Sequence, residues 1–85
     1  MIPKAKRIVD PEAIELAWRR DNGRCLICGK PVRPSSPHHI KSRGAGGDDV
    51  LSNLITLCRD HHDAAHRGEH TRDELRQRLS DRYGY

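Results

Sequence analysis

Cysteine and histidine occur in two short pairs whose spacing suits a metal ion. Cys25 and Cys28 are separated by two residues, and Cys58 and His61 repeat that spacing farther along the chain. Two intervening residues let the chain turn so that both side chains of a pair reach one tetrahedral ion. Two such pairs predict a structural Zn²⁺ site. His61 and His62 are adjacent, so either could be the fourth ligand, although the spacing favours His61.

The remaining histidines indicate a second metal site with hydrolytic chemistry. His62 and His66 lie four residues apart in a predicted helix and therefore project from one face. His38 and His39 lie in a short predicted strand and face opposite ways, so one can bind the metal while the other acts as a base. A metal stabilises charge on a phosphate, and a neutral imidazole takes a proton from water. These are the parts that phosphodiester hydrolysis needs.

Several elements are predicted to position these residues. A first helix begins at Asp10-Pro11, an N-cap followed by proline, and ends near Asn22-Gly23. Its inward face carries Ala13, Ile14, Ala17 and Trp18. Pro37–Ile40 favours an extended strand, and residues 51–57 are apolar and β-prone.

Two further helices are predicted in the second half of the chain. A polar helix of about ten residues runs through His62 and His66 and ends at Gly68. A last helix opens with a capping box of Thr71 and Glu74. Its apolar stripe consists of Leu75, Leu79 and Tyr83.

The composition limits the core and the domain count. The chain has 85 residues, 34% of them hydrophobic and 33% charged, and no Phe. A core this small needs additional stabilisation, and a bound metal is the usual source when disulfides are not available. The three cysteines are an odd number, and no signal sequence or membrane-spanning run is evident. We therefore expect a basic flexible arm at residues 1–9, one domain at residues 10–85, and a cytoplasmic, metal-binding protein with no membrane partner.

The charge is uneven along the chain. Residues 1–47 carry ten Lys and Arg against four Asp and Glu, whereas residues 48–85 carry six against eight. A basic half favours a polyanionic partner, with nucleic acid as the first candidate.

From Cys25 to His66, about half of the chain, the sequence resembles the HNH endonucleases. The motifs that carry the resemblance are Pro37-His38-His39-Ile40, Gly46-Gly47, Asn53-Leu54, Leu57-Cys58-x-x-His61-His62 and His66. The resemblance implies a small α+β fold, in which two strands and a helix grip one metal (ββα-metal), here stapled by the structural zinc and flanked by N- and C-terminal helices.

The resemblance also implies roles for individual residues. His39 would be the general base, and Asn53 would hold the loop between the strands and so orient His39. The catalytic metal would be bound by His38, His62 and His66. Cleavage would leave a 5′-phosphate and a 3′-hydroxyl. From their positions alone, Lys41 and Arg43 are candidates for contacts with DNA phosphates.

Two departures from the family pattern carry expectations. Many members have a carboxylate where His38 stands, and three imidazoles favour Mn²⁺, Ni²⁺, Co²⁺ or Zn²⁺ over Mg²⁺. His61 replaces the more usual cysteine, which should weaken zinc retention at mildly acidic pH.

The function predicted from the sequence is a metal-dependent DNA endonuclease with little sequence specificity. Stand-alone proteins of this family and size resemble those encoded beside phage DNA-packaging genes, which suggests a terminase partner in a bacterial or phage-infected cell. The main alternative is a non-catalytic zinc-binding module for nucleic acid. A toxin domain cut from a longer protein is a third possibility.

Overall fold

The computed structural model describes residues 8–34 and 37–85, which form three α-helices and a two-stranded antiparallel sheet. The elements in chain order are α1 (Pro11–Arg20), β1 (His38–His39), β2 (Leu54–Ile55), α2 (Arg59–His66) and α3 (Arg72–Tyr83). Two short 3-10 turns, Arg43–Ala45 and Leu51–Asn53, lie in the loop between the strands. The predicted α+β class, with a ββα unit between flanking helices, is confirmed. None of the helices in these ranges is long and apolar enough to cross a membrane.

Helix α1 begins and ends where the sequence predicts. The Asp10 side chain accepts a hydrogen bond from Glu12 N, and proline occupies the first helical position. After Arg20 the chain turns through Asn22 and Gly23, whose φ values of 56° and 64° are left-handed. Ala13 and Ala17 are buried on the inner face of the helix.

Trp18 anchors the following segment to α1. Its Nε1 donates to Val32 O at 2.8 Å. The indole lies against Gly23, where an added Cβ would be 2.8 Å from Trp18 Cζ2. The expectation that Trp18 serves packing is therefore met, with the ring half-buried between α1 and the cysteine-containing turn.

The strands are shorter than the apolar run of residues 51–57 predicts. His38 pairs with Ile55 and His39 with Leu54, and pairing ends there. Upstream, Asn53 N donates to Val50 O at 2.8 Å, which closes a 3-10 turn in place of an extended strand. The turn places the side chain of Asn53 inside the loop, where backbone groups need partners.

Helices α2 and α3 follow with a short turn between them. Helix α2 has eight residues rather than about ten and is followed by Gly68 at φ 82°. Helix α3 begins at Thr71, whose hydroxyl accepts from Glu74 N at 3.1 Å. Leu75 and Leu79 are buried against the sheet and the cysteines, and the half-buried Tyr83 packs on the same cluster, as the stripe predicts.

The buried carboxylate of Asp21 connects three parts of the fold, a role that the sequence did not reveal. Its Oδ2 accepts from Thr56 N at 3.0 Å, just after β2. Its Oδ1 accepts from Tyr83 Oη at 2.6 Å, at the end of α3, and from Arg20 Nε at 2.9 Å. Because each oxygen has a partner, the charge is paired despite being 1% exposed.

The predicted arm at residues 1–9 lies mostly outside the described residues, which begin at Ile8. Ile8 N donates to Asp48 Oδ1 at 2.6 Å, and Asp49 N donates to Ile8 O at 2.9 Å. The boundary between an arm and the domain stays a prediction.

Candidate metal centres and catalytic site

Three cysteines and one histidine converge as the paired spacing predicts. The ligand atoms of Cys25, Cys28, Cys58 and His61 all lie within 4.8 Å of one another. Cys28 Sγ is 3.7 Å from Cys58 Sγ, and His61 Nδ1 is 3.6 Å from Cys25 Sγ and 3.1 Å from Cys58 Sγ. Zinc–sulfur bonds of about 2.3 Å in a tetrahedron put sulfur atoms roughly 3.8 Å apart. The group therefore fits a zinc ion.

The thiols of this cluster have the electrostatics of a cation site. Burial raises the pKa of Cys25, but the backbone N–H groups of Cys58, Cys28 and Ile27 outweigh it and bring the pKa down to about 7. Burial, together with the neighbouring thiols, raises the pKa of Cys58. Several thiolates crowded together repel one another, and a bound cation removes that repulsion.

His61 and His62 belong to different clusters, which separates the two candidates for the fourth zinc ligand. His61 lies with the cysteines, whereas His62 lies with His38 and His66. Neighbouring residues on a helix are about 100° apart, so α2 can face two ions.

His38, His62 and His66 form the second cluster, across β1 and α2. Their ligand nitrogens lie within 4.8 Å of one another. The ring centroids are 5.1 Å apart for His38–His62, 5.3 Å for His38–His66 and 4.5 Å for His62–His66. Imidazoles that share one ion at about 2.0–2.1 Å have nitrogens roughly 3–3.5 Å apart, so small ring rotations suffice.

The protonation of this cluster suits metal binding. Burial, followed by the charges of His62, His66 and His39, lowers the pKa of His38 to about 4. Burial and His66 also lower the pKa of His62. At neutral pH His38 and His62 are therefore neutral, which is the form that binds a metal. The donor set fits a borderline transition metal.

His39 faces away from the cluster, toward a residue that the sequence interpretation missed. Its Nε2 lies 2.7 Å from Asp49 Oδ1, and the two side chains are 8% and 1% exposed. His39 nevertheless lines the same cleft of about 150 Å³ as His38 and His66. The signal that could have indicated Asp49 is an acidic residue in a loop bounded by His39 and Asn53.

Asn53 closes the loop that follows His39. Its Nδ2 donates to Lys41 O at 3.1 Å and to Asp48 O at 3.0 Å, and its Oδ1 accepts from Lys41 N at 2.8 Å. Ile40 N also donates to Asn53 O at 2.9 Å. One buried amide thus fixes the chain on both sides of the loop.

Gly47 lets the loop fold on itself. An added Cβ would lie 1.7 Å from Lys41 O, and Gly47 N donates to Ser42 O at 2.8 Å. The need for glycine at this position is therefore internal close packing.

Basic side chains lie near His39 and near His62. Lys41 and Arg43 are exposed, and Arg43 Nε lies 3.5 Å from His39 Nε2. Arg33 and Arg59 line a separate groove of about 700 Å³, to which His62 also contributes. The sequence interpretation did not single out this second pair, because no motif contains both residues.

Two strands and a helix that present converging histidines define the ββα-metal class of nuclease domain. The family model of the HNH endonuclease matches residues 25–68, just over half of the chain. The chain therefore belongs to the HNH endonuclease family, with a nuclease-type domain whose substrate is nucleic acid. No curated protein and no solved structure matches the chain.

Proposed function

We propose that this protein is a metal-dependent DNA endonuclease that hydrolyses phosphodiester bonds with little sequence specificity. The observation that carries the proposal is the convergence of His38, His62 and His66 within 4.8 Å, with His39 on the same cleft but turned away from them. A site for a metal and a separate imidazole base are thus adjacent, as hydrolysis of a phosphodiester requires.

The residues divide the work as follows. His38, His62 and His66 bind the catalytic ion, and Cys25, Cys28, Cys58 and His61 bind the structural zinc. A divalent metal held by these three histidines would supply positive charge that stabilises the phosphate and the leaving oxygen. His39 takes the proton from the attacking water. Asn53 positions His39 by holding the loop, and the products carry a 5′-phosphate and a 3′-hydroxyl.

DNA is held mainly through its phosphates. Lys41 and Arg43 are exposed beside the cleft, and neither is buried in an ion pair among the described residues. Phosphate contacts carry no base information, which accounts for low sequence specificity. Because the chain resembles small stand-alone members of the family, the proposed function includes phage DNA packaging together with a terminase.

The decisive experiment incubates supercoiled plasmid with the purified protein and Mn²⁺. The wild type should convert it to nicked circles. His39→Ala should stop nicking while DNA binding and zinc content stay unchanged. Gln77→Ala is the control, because Gln77 is exposed on α3, lies outside both clusters and donates to Asp81 Oδ1 at 2.8 Å. It should nick within about threefold of the wild type, as surface changes do.

The alternative, a zinc module that binds nucleic acid without cutting it, makes the opposite prediction. Such a protein would shift plasmid mobility but leave it supercoiled in Mn²⁺, Ni²⁺, Co²⁺ and Zn²⁺. Nicking by His39→Ala at the wild-type rate would refute the assignment of the base, provided that His62→Ala, prepared in the same way, does not nick.

A further inference from the structure

Asp49 is the acidic residue closest to His39 in the described structure, and its surroundings are specific. Its Oδ1 is 2.7 Å from His39 Nε2, and its Oδ2 accepts from Asp10 N at 3.0 Å. The side chain is 1% exposed. Each carboxylate oxygen thus has a nitrogen partner: Nε2 of the His39 imidazole for one, and the backbone N–H of Asp10, the N-cap of α1, for the other.

The hydrogen-bond partner of His39, Asp49, determines which imidazole nitrogen carries the hydrogen. An ionised carboxylate can only accept, so Nε2 must donate. A neutral imidazole has one N–H, so Nδ1 is then bare and can accept a proton. Arg43 Nε, at 3.5 Å from the same Nε2, is at the limit for a hydrogen bond. If Nε2 donates to Asp49, it cannot also accept from Arg43, so with this tautomer the 3.5 Å approach of Arg43 is a contact without a hydrogen bond.

We infer that Asp49 is a positioning residue that holds His39 in the Nε2–H tautomer, with Nδ1 as the nitrogen that takes the proton from water. The inference rests on the proposed nuclease function only for its catalytic consequence. Asp49 touches neither substrate nor metal in this assignment. It acts through His39, as a buried carboxylate behind a histidine does in other hydrolytic sites.

Asp49→Asn separates this role from a structural one, because these two hydrogen-bond partners, Asp10 and His39, differ in what they can do. The N–H of Asp10 is a backbone group that can only donate, so the amide oxygen must face it. The amide –NH₂ then faces His39 Nε2, and the imidazole can adapt by moving its hydrogen to Nδ1. Both hydrogen bonds survive with the tautomer reversed. The fold is retained, and the base is disabled.

The expected result is a fall in kcat of between ~10² and ~10⁴-fold for plasmid nicking, with KM for DNA within about threefold. The melting temperature should change little. Asp48→Asn is the matched control on the neighbouring residue, whose Oδ1 accepts from Ile8 N instead. It should nick at the wild-type rate within about threefold. In a His39→Ala background, Asp49→Asn should cause no additional loss.

A second measurement keeps the inference testable without activity. Two-bond ¹H–¹⁵N correlation spectra of the histidine-labelled protein report the tautomer of each imidazole directly. His39 should carry its hydrogen on Nε2 in the wild type and on Nδ1 in Asp49→Asn. An Nδ1–H tautomer in the wild type, or Asp49→Asn nicking at the wild-type rate, would overturn the inference. If the wild type nicks no DNA with any metal, the proposed function fails, and the spectra still decide the role of Asp49.

Discussion

His61 and His62 are consecutive in the chain, yet His61 Nδ1 lies 3.1 Å from Cys58 Sγ while the ring of His62 lies 4.5 Å from that of His66. One turn of α2 therefore contributes to both metal clusters. The cysteine cluster includes Cys58, the N-cap of α2, and the histidine cluster uses a face of the helix about 100° away. The position of the three clustered imidazoles thus depends on the cysteines.

Replacing His61 and His62 one at a time should distinguish the zinc site from the catalytic metal site of the proposed enzyme. His61→Ala should lose the tightly bound zinc and unfold at a lower temperature, because the tetrahedral site becomes incomplete. His62→Ala should keep that zinc but lose Mn²⁺ binding. Zinc content by elemental analysis and Mn²⁺ affinity by calorimetry measure the two effects. Loss of zinc from His62→Ala but not from His61→Ala would reverse the ligand assignment.

The metal preference of the proposed nuclease should follow its three imidazoles. Mn²⁺, Ni²⁺ or Co²⁺ should support faster nicking than Mg²⁺ at equal concentration, because nitrogen donors suit these ions better than the hard Mg²⁺. The rate of nicked-circle formation in a metal series tests this. Equal or faster nicking in Mg²⁺ would contradict it. His38→Asp, which adds a carboxylate, should shift the preference toward Mg²⁺.

Acid should destabilise the protein through His38. The pKa of His38 falls from 6.5 to about 4 on folding, because burial disfavours its charged form. Between these values the unfolded state binds more protons, so the free energy of unfolding decreases as pH falls from 6.5 toward 4. One such group contributes at most ~1.4 kcal/mol per pH unit.

Urea unfolding of wild type and His38→Gln, without added divalent metal, isolates this contribution. Both proteins keep the zinc cluster, so acid release of zinc affects them alike. The wild type should lose stability more steeply between pH 6.5 and pH 4.5. Parallel curves for the two proteins would show that His38 is not held neutral by the fold.

Asn53 should matter for stability as well as for the site. Asn53→Ala removes three partly buried hydrogen bonds and leaves the Lys41 backbone groups without their partner. We expect a loss of roughly 2–3 kcal/mol in the free energy of unfolding. The exposed neighbour provides the control, because Ser52→Ala should change the stability by less than about 0.5 kcal/mol. Chemical denaturation measures both.

Lys41 and Arg43 should contribute to DNA affinity without selecting sequence. Replacing both by Ala should weaken binding of any duplex and reduce the slope of log K against log salt by ~2, since each phosphate contact releases a counterion. Fluorescence anisotropy at several salt concentrations measures the slope. An unchanged slope would contradict this prediction and would make Arg33 and Arg59 the next candidates for phosphate contacts.

The sequence predicted which residues converge in the two clusters, because the signals for that convergence are local. The spacing of the cysteine pairs and the interval between His62 and His66 depend on a turn or on a single helix, and short-range geometry determines both. The capping residues of α1 and α3 were predictable for the same reason. The proposed roles of Asn53 and His39 come from the resemblance, since spacing alone leaves them open, and they stay predictions.

Contacts between distant parts of the chain were not predictable. Asp49 reaches His39 only because the loop folds back through Gly47, and Asp21 meets Tyr83 across 62 positions. Neither aspartate belongs to a periodic pattern or a short motif. The short β2 was missed for a related reason: the apolar run favours a longer strand, but Asn53 must turn inward to satisfy loop backbone groups.

Because α2 contributes to both clusters, heavy metals should inhibit the proposed enzyme indirectly. Thiophilic ions such as Cd²⁺ or Hg²⁺ prefer the three sulfurs to the three imidazoles. Such ions would replace zinc in the cysteine cluster and alter the start of α2. They would therefore lower turnover without competing with DNA, and a higher DNA concentration would not relieve the inhibition.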